Sequence, residues 1–157
     1  METKNGNEFV LKELNCLNYD HIALVPPYAQ GGGGLALLWK KEVEISILHQ
    51  SDHFIDTEIK FKGEKFNATF VYGAPEKEGR AEVWRTIKDR AENRETPWFL
   101  TGDFNEIVDN SEKHGGPARA ESSFVDFRSF MSECDLFDLR YSGNFLSWRG
   151  QRRNHLV

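Results

Sequence analysis

The chain has 157 residues, 39% hydrophobic and 29% charged, with twelve Phe and four Trp; this is core material for one folded domain and excludes a disordered chain. A formal net charge of −5 excludes the basic field of a tight nucleic-acid binder, while tolerating a site that collects a divalent cation. The polar start, METKNGNEF, carries no signal peptide and no apolar run approaches the ~20 residues of a membrane helix, so a soluble intracellular protein, nuclear or cytoplasmic, is expected.

Val10, Leu14 and Leu17 recur at helical spacing behind Asn7, a candidate N-cap, so the spacing predicts a helix over 8–18. Cys16 and the distant Cys134 lack metal-ligand spacing and stand among apolar residues. Both are expected as buried thiols in a reducing compartment. A short strand over His21–Val25 closes at Pro26-Pro27. The run 31-GGGG-34 reads as a flexible turn, not a phosphate cradle, because the strand-like LALLW follows it.

Alternation then marks strands at Val43, Ile45 and Ile47, at Ile55, Thr57, Ile59 and Phe61, and at Phe66, Ala68, Phe70 and Tyr72. The last two are expected to form an antiparallel hairpin across the turn 62-KGEK-65. A helix is predicted over 78–93, with Val83, Trp84, Ile87 and Ala91 on one face. The apolar strand 98-WFLTGDF-104 is expected to be central and covered on both faces. A polar loop, 109-DNSEKHGGPARAE-121, leads to a helix after Ser122 or Ser123, with Phe124, Phe127, Met131 and Cys134 inward. Two short strands, 136-LFDLRY-141 and 145-FLSW-148, close the chain. Helices interleaved with antiparallel-looking strands predict sheets packed on each other with helices outside.

The chemistry concentrates where 98–104 ends. A strand that finishes in polar groups presents them at the rim of its sheet, where α/β proteins place ligands. Asp103 and Asn105 flank Phe104 and project to one side if the backbone stays extended. A carboxylate binds a metal or takes a proton from water. An amide donates to a phosphate oxygen without neutralising the carboxylate. The plainer alternative is an Asx-turn between the two, common at strand ends.

Together with other stretches, these residues resemble the endonuclease/exonuclease/phosphatase superfamily, the DNase I-like fold, and more narrowly the endonuclease domain of plant non-LTR (LINE-type) retrotransposons. The similar stretches are 2-ETK-4, 34-GLALLW-39, 53-HFID-56, 71-VYGAP-75, 101-TGDFNEI-107, 111-SEKHGG-116 and 145-FLSWRGQRRNHLV-157, in the family's order. The resemblance implies one partial domain over 1–157, an α/β four-layer sandwich of two mainly antiparallel sheets with helices outside, incomplete. It implies Glu2 as ligand of Mg²⁺ or Mn²⁺, Tyr72 near the scissile phosphate, Asp103 orienting or deprotonating the attacking water, and Asn105 holding phosphate and water. Arg149, Arg152 and Arg153 would contact substrate phosphates, with a solvated tail as the alternative. His53 and His114 are expected as surface or hydrogen-bonded histidines, and Asp56 as a strand-edge carboxylate.

The family pattern also has a strand with an Asn before ETK, and later an Asp and a terminal Ser-Asp-His, none of which matches a stretch here. A chain short of these parts is expected to be impaired as a DNA-nicking enzyme and marginally stable. The competing expectation is an inactive remnant that binds nucleic acid, weakly if at all, or protein. No membrane and no obligate protein partner are inferred.

Overall fold

The structure is a computed structural model that describes residues 2–28, 32–92, 94–139, 142–144 and 146, and the backbone of 151, 152, 155 and 156. Its contacts divide the chain into two compact units, Met1–Pro75 with Asn93–Asn105, and Glu76–Glu92 with Glu106–Val157. Among the described residues no helix is long and apolar enough to cross a membrane.

The first unit is built on two sheets. Helix α1 (Asn7–Leu14) starts one residue earlier than its spacing predicts, with Gly6 as N-cap, so Asn7 is not the cap. It passes into a 3-10 turn at Asn15–Leu17 and stops at Asn18, whose φ of 51° is left-handed. Cys16 on this turn is exposed, contrary to the buried thiol expected. Strands β1 (His21–Val25) and β2 (Leu35–Trp39) pair antiparallel as a hairpin.

The second sheet has the order β3 (Glu44–Gln50), β4 (Phe54–Phe61), β5 (Glu64–Tyr72) and β6 (Trp98–Asp103). The expected hairpin of β4 and β5 is present. Its turn is tighter than 62–65: Phe61 pairs with Glu64, and Lys62 and Gly63 both take positive φ, 51° and 85°. Two successive positive-φ residues are what a twist-matched two-residue turn requires. A bulge between Ile47 and His49 interrupts β3.

Strand β6 runs parallel to β5 and, among the described residues, forms the edge of this sheet. The apolar run WFL is therefore not a central strand, and Phe99 keeps 41% of its surface exposed. Alternation gives the sheet two different faces. One carries Ile55 and Tyr72, which share a core with Val25 and Leu35 of the β1–β2 hairpin, flanked by Leu37. The other is buried and mixed: Phe54 and Val71 share it with a polar network. Asp56 accepts from Thr69 Oγ1 (2.7 Å), and Thr69 in turn accepts from Trp98 Nε1 (2.8 Å). Arg94 gives one nitrogen, Nη2, to both oxygens of Asp56 (2.7 and 2.6 Å) and lies 4.6 Å from the Trp98 ring centre. Asp56 is thus a buried carboxylate in mid-strand, 2% exposed, not a strand-edge one.

The second unit is helical. In α2 (Lys77–Ala91) Val83, Trp84 and Ile87 are buried, while Ala91 is only half-buried. In α3 (Val125–Glu133) the inward residues are Phe127 and Phe130, with Phe124 just before it. Phe124 and Phe127 are buried as expected, Met131 and Cys134 are only half-buried, and Phe130 adds a buried ring that the expectation left out. Burial pushes the Cys134 thiol up. The Trp84 ring packs on Phe127 and Phe130 at 5.0 and 5.2 Å between centres. Residues 136–139 form no strand, and Phe137 and Leu139 are 78% and 60% exposed. Most of the expected strand 145–148 lies outside the described residues. Two short strands, β7 (Gln151–Arg152) and β8 (His155–Leu156), pair antiparallel.

The segment 106–120 between β6 and α3 is shaped by its own side chains. Asn110 donates to Arg119 O (2.9 Å) and accepts from Arg119 N (2.8 Å), closing the loop at its base. Glu112 accepts from Val108 N (2.6 Å) and Arg128 Nε donates to Val108 O (2.8 Å). Glu106, whose side chain is 5% exposed, pairs with Arg80 (2.8 Å) and with Arg119.

Candidate active site

Glu2 sits at the head of the chain, yet it does not fray. Thr3 N donates to Gly34 O (2.8 Å) and Lys4 N to Gly33 O (2.9 Å), while Glu2 bridges to Leu35 at the start of β2. The glycines make this docking possible. A Cβ on Gly34 would stand 2.3 Å from Thr3 Oγ1, and both Gly33 and Gly34 hold φ of +78°. Gly33 N also donates to Glu2 Oε1 (3.0 Å). Gly33 and Gly34 thus act as a clamp on the first carboxylate, while Gly31 of the expected turn lies outside the described residues.

The same Oε1 accepts from the Tyr72 hydroxyl (2.8 Å), joining residues seventy positions apart. Lys4 Nζ lies 3.4 Å from Oε2. Partial burial alone would raise the Glu2 carboxyl, but Gly33 N–H, the Tyr72 hydroxyl and Lys4 outweigh it and hold it below the usual carboxylate range. Glu2 is therefore anionic at neutral pH. Tyr72 is the reciprocal case: burial first, then the hydrogen bond to Glu2 and its charge, push the phenol far up. It remains a protonated donor and supplies no phenolate.

Asp103 ends β6 directly beside Tyr72 in the parallel register, and it is exposed. Two glycines set that spacing. A Cβ on Gly102 (φ +139°) would stand 1.9 Å from Val71 O, and one on Gly73 would stand 2.0 Å from Phe104 O. Gly73 N donates to Asp103 O (2.7 Å), fastening the two strand ends. Asn105 takes φ of 51°, its N–H donates to Asp103 Oδ1 (2.9 Å), and its Nδ2 donates to Gly73 O (2.8 Å). The Asx-turn is present. It coexists with the rim placement, since Asp103 stays exposed next to Tyr72.

Glu2, Tyr72, Asp103 and Asn105 thus form one chain of contacts within the first unit. His53 extends it: its Nδ1 lies 3.1 Å from Tyr72 O, the hydrogen-bonded state expected from the sequence. His114 is exposed. Arg149 and Arg153 lie outside the described residues, and of Arg152 only the backbone is described, in β7 opposite His155. Gly33, Lys4 and Tyr28 were not legible as site residues. Gly33 acts through a backbone N–H, which no side-chain pattern reveals.

The sequence profile of the Endonuclease/Exonuclease/phosphatase family matches residues 1–156. The chain belongs to that family. Among solved structures, it is similar to a β-hairpin deletion mutant of beta toxin from Staphylococcus aureus, at 19% identity and a TM-score of 0.52. That match covers 88% of this chain and 59% of the toxin chain, so the chain spans well under two thirds of it. It is also similar to the human Nocturnin catalytic domain with bound sulfate, at 13% identity and a TM-score of 0.48, covering 82% of this chain and 53% of that one. No curated protein matches the chain. The beta toxin likeness is one of fold: two sheets with helices in a DNase I-like arrangement.

Members of the family commonly use divalent metals. Among the described residues, no group of three or more His, Cys, Asp or Glu side chains could hold one. Mg²⁺, however, is often held by one or two carboxylates, with waters and substrate phosphates filling its other positions. Glu2, anionic and oriented by two donors, fits that sparse mode and no fuller cage.

Proposed function

We propose that this chain is a metal-dependent phosphodiesterase directed at DNA, a nicking endonuclease of retrotransposon type. Family membership supports hydrolysis of this class, and the ordered stretches from ETK to SWRGQRRNHLV support the narrower lineage. The observation that carries the reading is the Glu2–Tyr72 hydrogen bond with Asp103 next in register, which gathers an anchored anion, a neutral donor and an exposed carboxylate.

In this reading Glu2 holds Mg²⁺ or Mn²⁺, which when bound supplies charge neutralisation at the phosphoryl oxygens. Asp103 aims the attacking water and accepts its proton. Asn105 has a second amide hydrogen beyond the one given to Gly73 and donates it to the phosphate. Tyr72, protonated, orients Glu2 and approaches the same phosphate. Arg149, Arg152 and Arg153 contribute phosphate contacts.

The test is nicking of supercoiled plasmid by the purified chain with Mg²⁺. Nicking is expected, and Asp103→Ala is expected to lower its rate by about 10³-fold. An intact plasmid at high protein and metal sinks the hydrolytic reading. A second reading, a binding module without turnover, draws on the sparse ligand set and on Asp103 and Asn105 being hydrogen-bonded to each other. Retained oligonucleotide binding beside an uncut plasmid would select it.

A further inference from the structure

Tyr28 follows Pro26-Pro27 and belongs to none of the stretches that carry the family resemblance. Its ring lies directly on the backbone of Gly33, where a Cβ would stand 2.5 Å from Cδ1 and Cε1. On another side it meets the His53 ring, 6.2 Å between centres at 49°. His53 is itself tied to Tyr72 O, and Gly33 N–H is tied to Glu2. Both supports of this ring are therefore fixed to the site residues.

Half of Tyr28 (50%) nevertheless remains exposed. A tyrosine recruited only for packing buries its ring and leaves the hydroxyl wet. This one is braced by the Gly33 peptide and by the His53 imidazole, which are themselves bonded to Glu2 and Tyr72, and half of its surface stays open. Prolines at 26 and 27 restrict the backbone that carries it, so little conformational freedom is lost when a partner settles on the ring.

We infer that Tyr28 is a stacking platform for a nucleobase next to the phosphodiester, making the substrate a nucleic-acid strand and not a phosphoester lacking a base. This rests on the hydrolytic site proposed above and adds a determinant of substrate choice. A base offers a planar π-face of any sequence, and an aromatic side chain receives it without reading hydrogen bonds. In the site proposed above the phosphates are met by other residues, so the ring would distinguish strands by their bases alone.

The test is fluorescence anisotropy with a labelled oligothymidylate and a strand of equal length made of abasic residues, in an Asp103→Asn background. The parent should prefer the thymidylate. Tyr28→Ala should weaken thymidylate binding about 10-fold (~1.4 kcal/mol) and abasic binding less than about 2-fold, while Tyr28→Phe keeps the preference within about 2-fold. Equal losses on both strands, an unchanged thymidylate affinity, or a parent with no preference would each overturn it. The affinity ratio does not depend on turnover, so an inactive chain with the preference intact sinks only the hydrolytic reading.

Discussion

In the first unit the buried Asp56, its side chain 3% exposed, faces one guanidinium, Arg94; in the second, Glu106, 5% exposed, faces two, Arg80 and Arg119. Asp56 also accepts from Thr69, and Arg94 spends a single nitrogen on it. Among the described residues, the buried Nε and Nη1 of Arg94 have no hydrogen-bond partner. Glu106 has its charge shared, accepts from Ile107 N (2.9 Å), and its partners are more open, 18% and 29% exposed. Among the described residues, one arrangement is a sealed pair with no second cation. The other is a redundant triad nearer to water. A buried pair broken on one side leaves an uncompensated charge, whereas a triad loses one of two neutralising contacts.

The sharpest way to break this contrast is Arg94→Met. It should cost about 3–5 kcal/mol and lower the thermal midpoint by roughly 10 °C, because nothing replaces the guanidinium over Asp56. Calorimetry checks it. The double change Arg94→Met with Asp56→Leu should recover part of the loss, since both charges leave together; no recovery would mean that Arg94 acts through packing on Trp98 instead. Arg119→Met should be milder, about 1–2 kcal/mol, as Arg80 still faces Glu106. A cost equal to that of Arg94→Met would erase the distinction.

The smallest effect is in pH. Burial would raise Glu106, but Arg119, the Ile107 N–H and Arg80 outweigh it and hold its carboxyl below the usual range. A depressed folded value contributes stability that is present above the unfolded glutamate value, about 4.3. It is lost as the pH falls through the folded value. Denaturant midpoints measured from neutral pH down past 4 should therefore fall, and Glu106→Gln should flatten that slope. An identical slope in the variant would remove Glu106 from the account.

The same contrast marks what the sequence discloses. The β4–β5 hairpin is legible because alternation at Ile55–Phe61 and Phe66–Tyr72 marks one face of each strand, although the opposite face is buried as well and Phe61 is exposed. So is the Asp103–Asn105 pair, whose types and spacing name both a rim and an Asx-turn. Strand β6 misleads: its apolar run suggests cover on both faces, but Trp98 serves the polar network with Thr69 and Arg94, and Phe99 faces outward. In α3, Phe130 and Met131 are both apolar, and only packing against Trp84 decides which turns inward. Asp56 and Arg94 lie thirty-eight positions apart. Ion pairs across a sheet leave no periodic trace, so neither side chain announces its partner.

Gly102 has one more implication. With Val71 O only 1.9 Å from where a Cβ would be, the gap between β5 and β6 is also the gap between Tyr72 and Asp103. A single methyl there would act as a wedge, prising phenol from carboxylate while leaving every functional group in the polypeptide. The geometry of the candidate site is thus encoded partly by an omission, a position whose contribution is the atom it lacks.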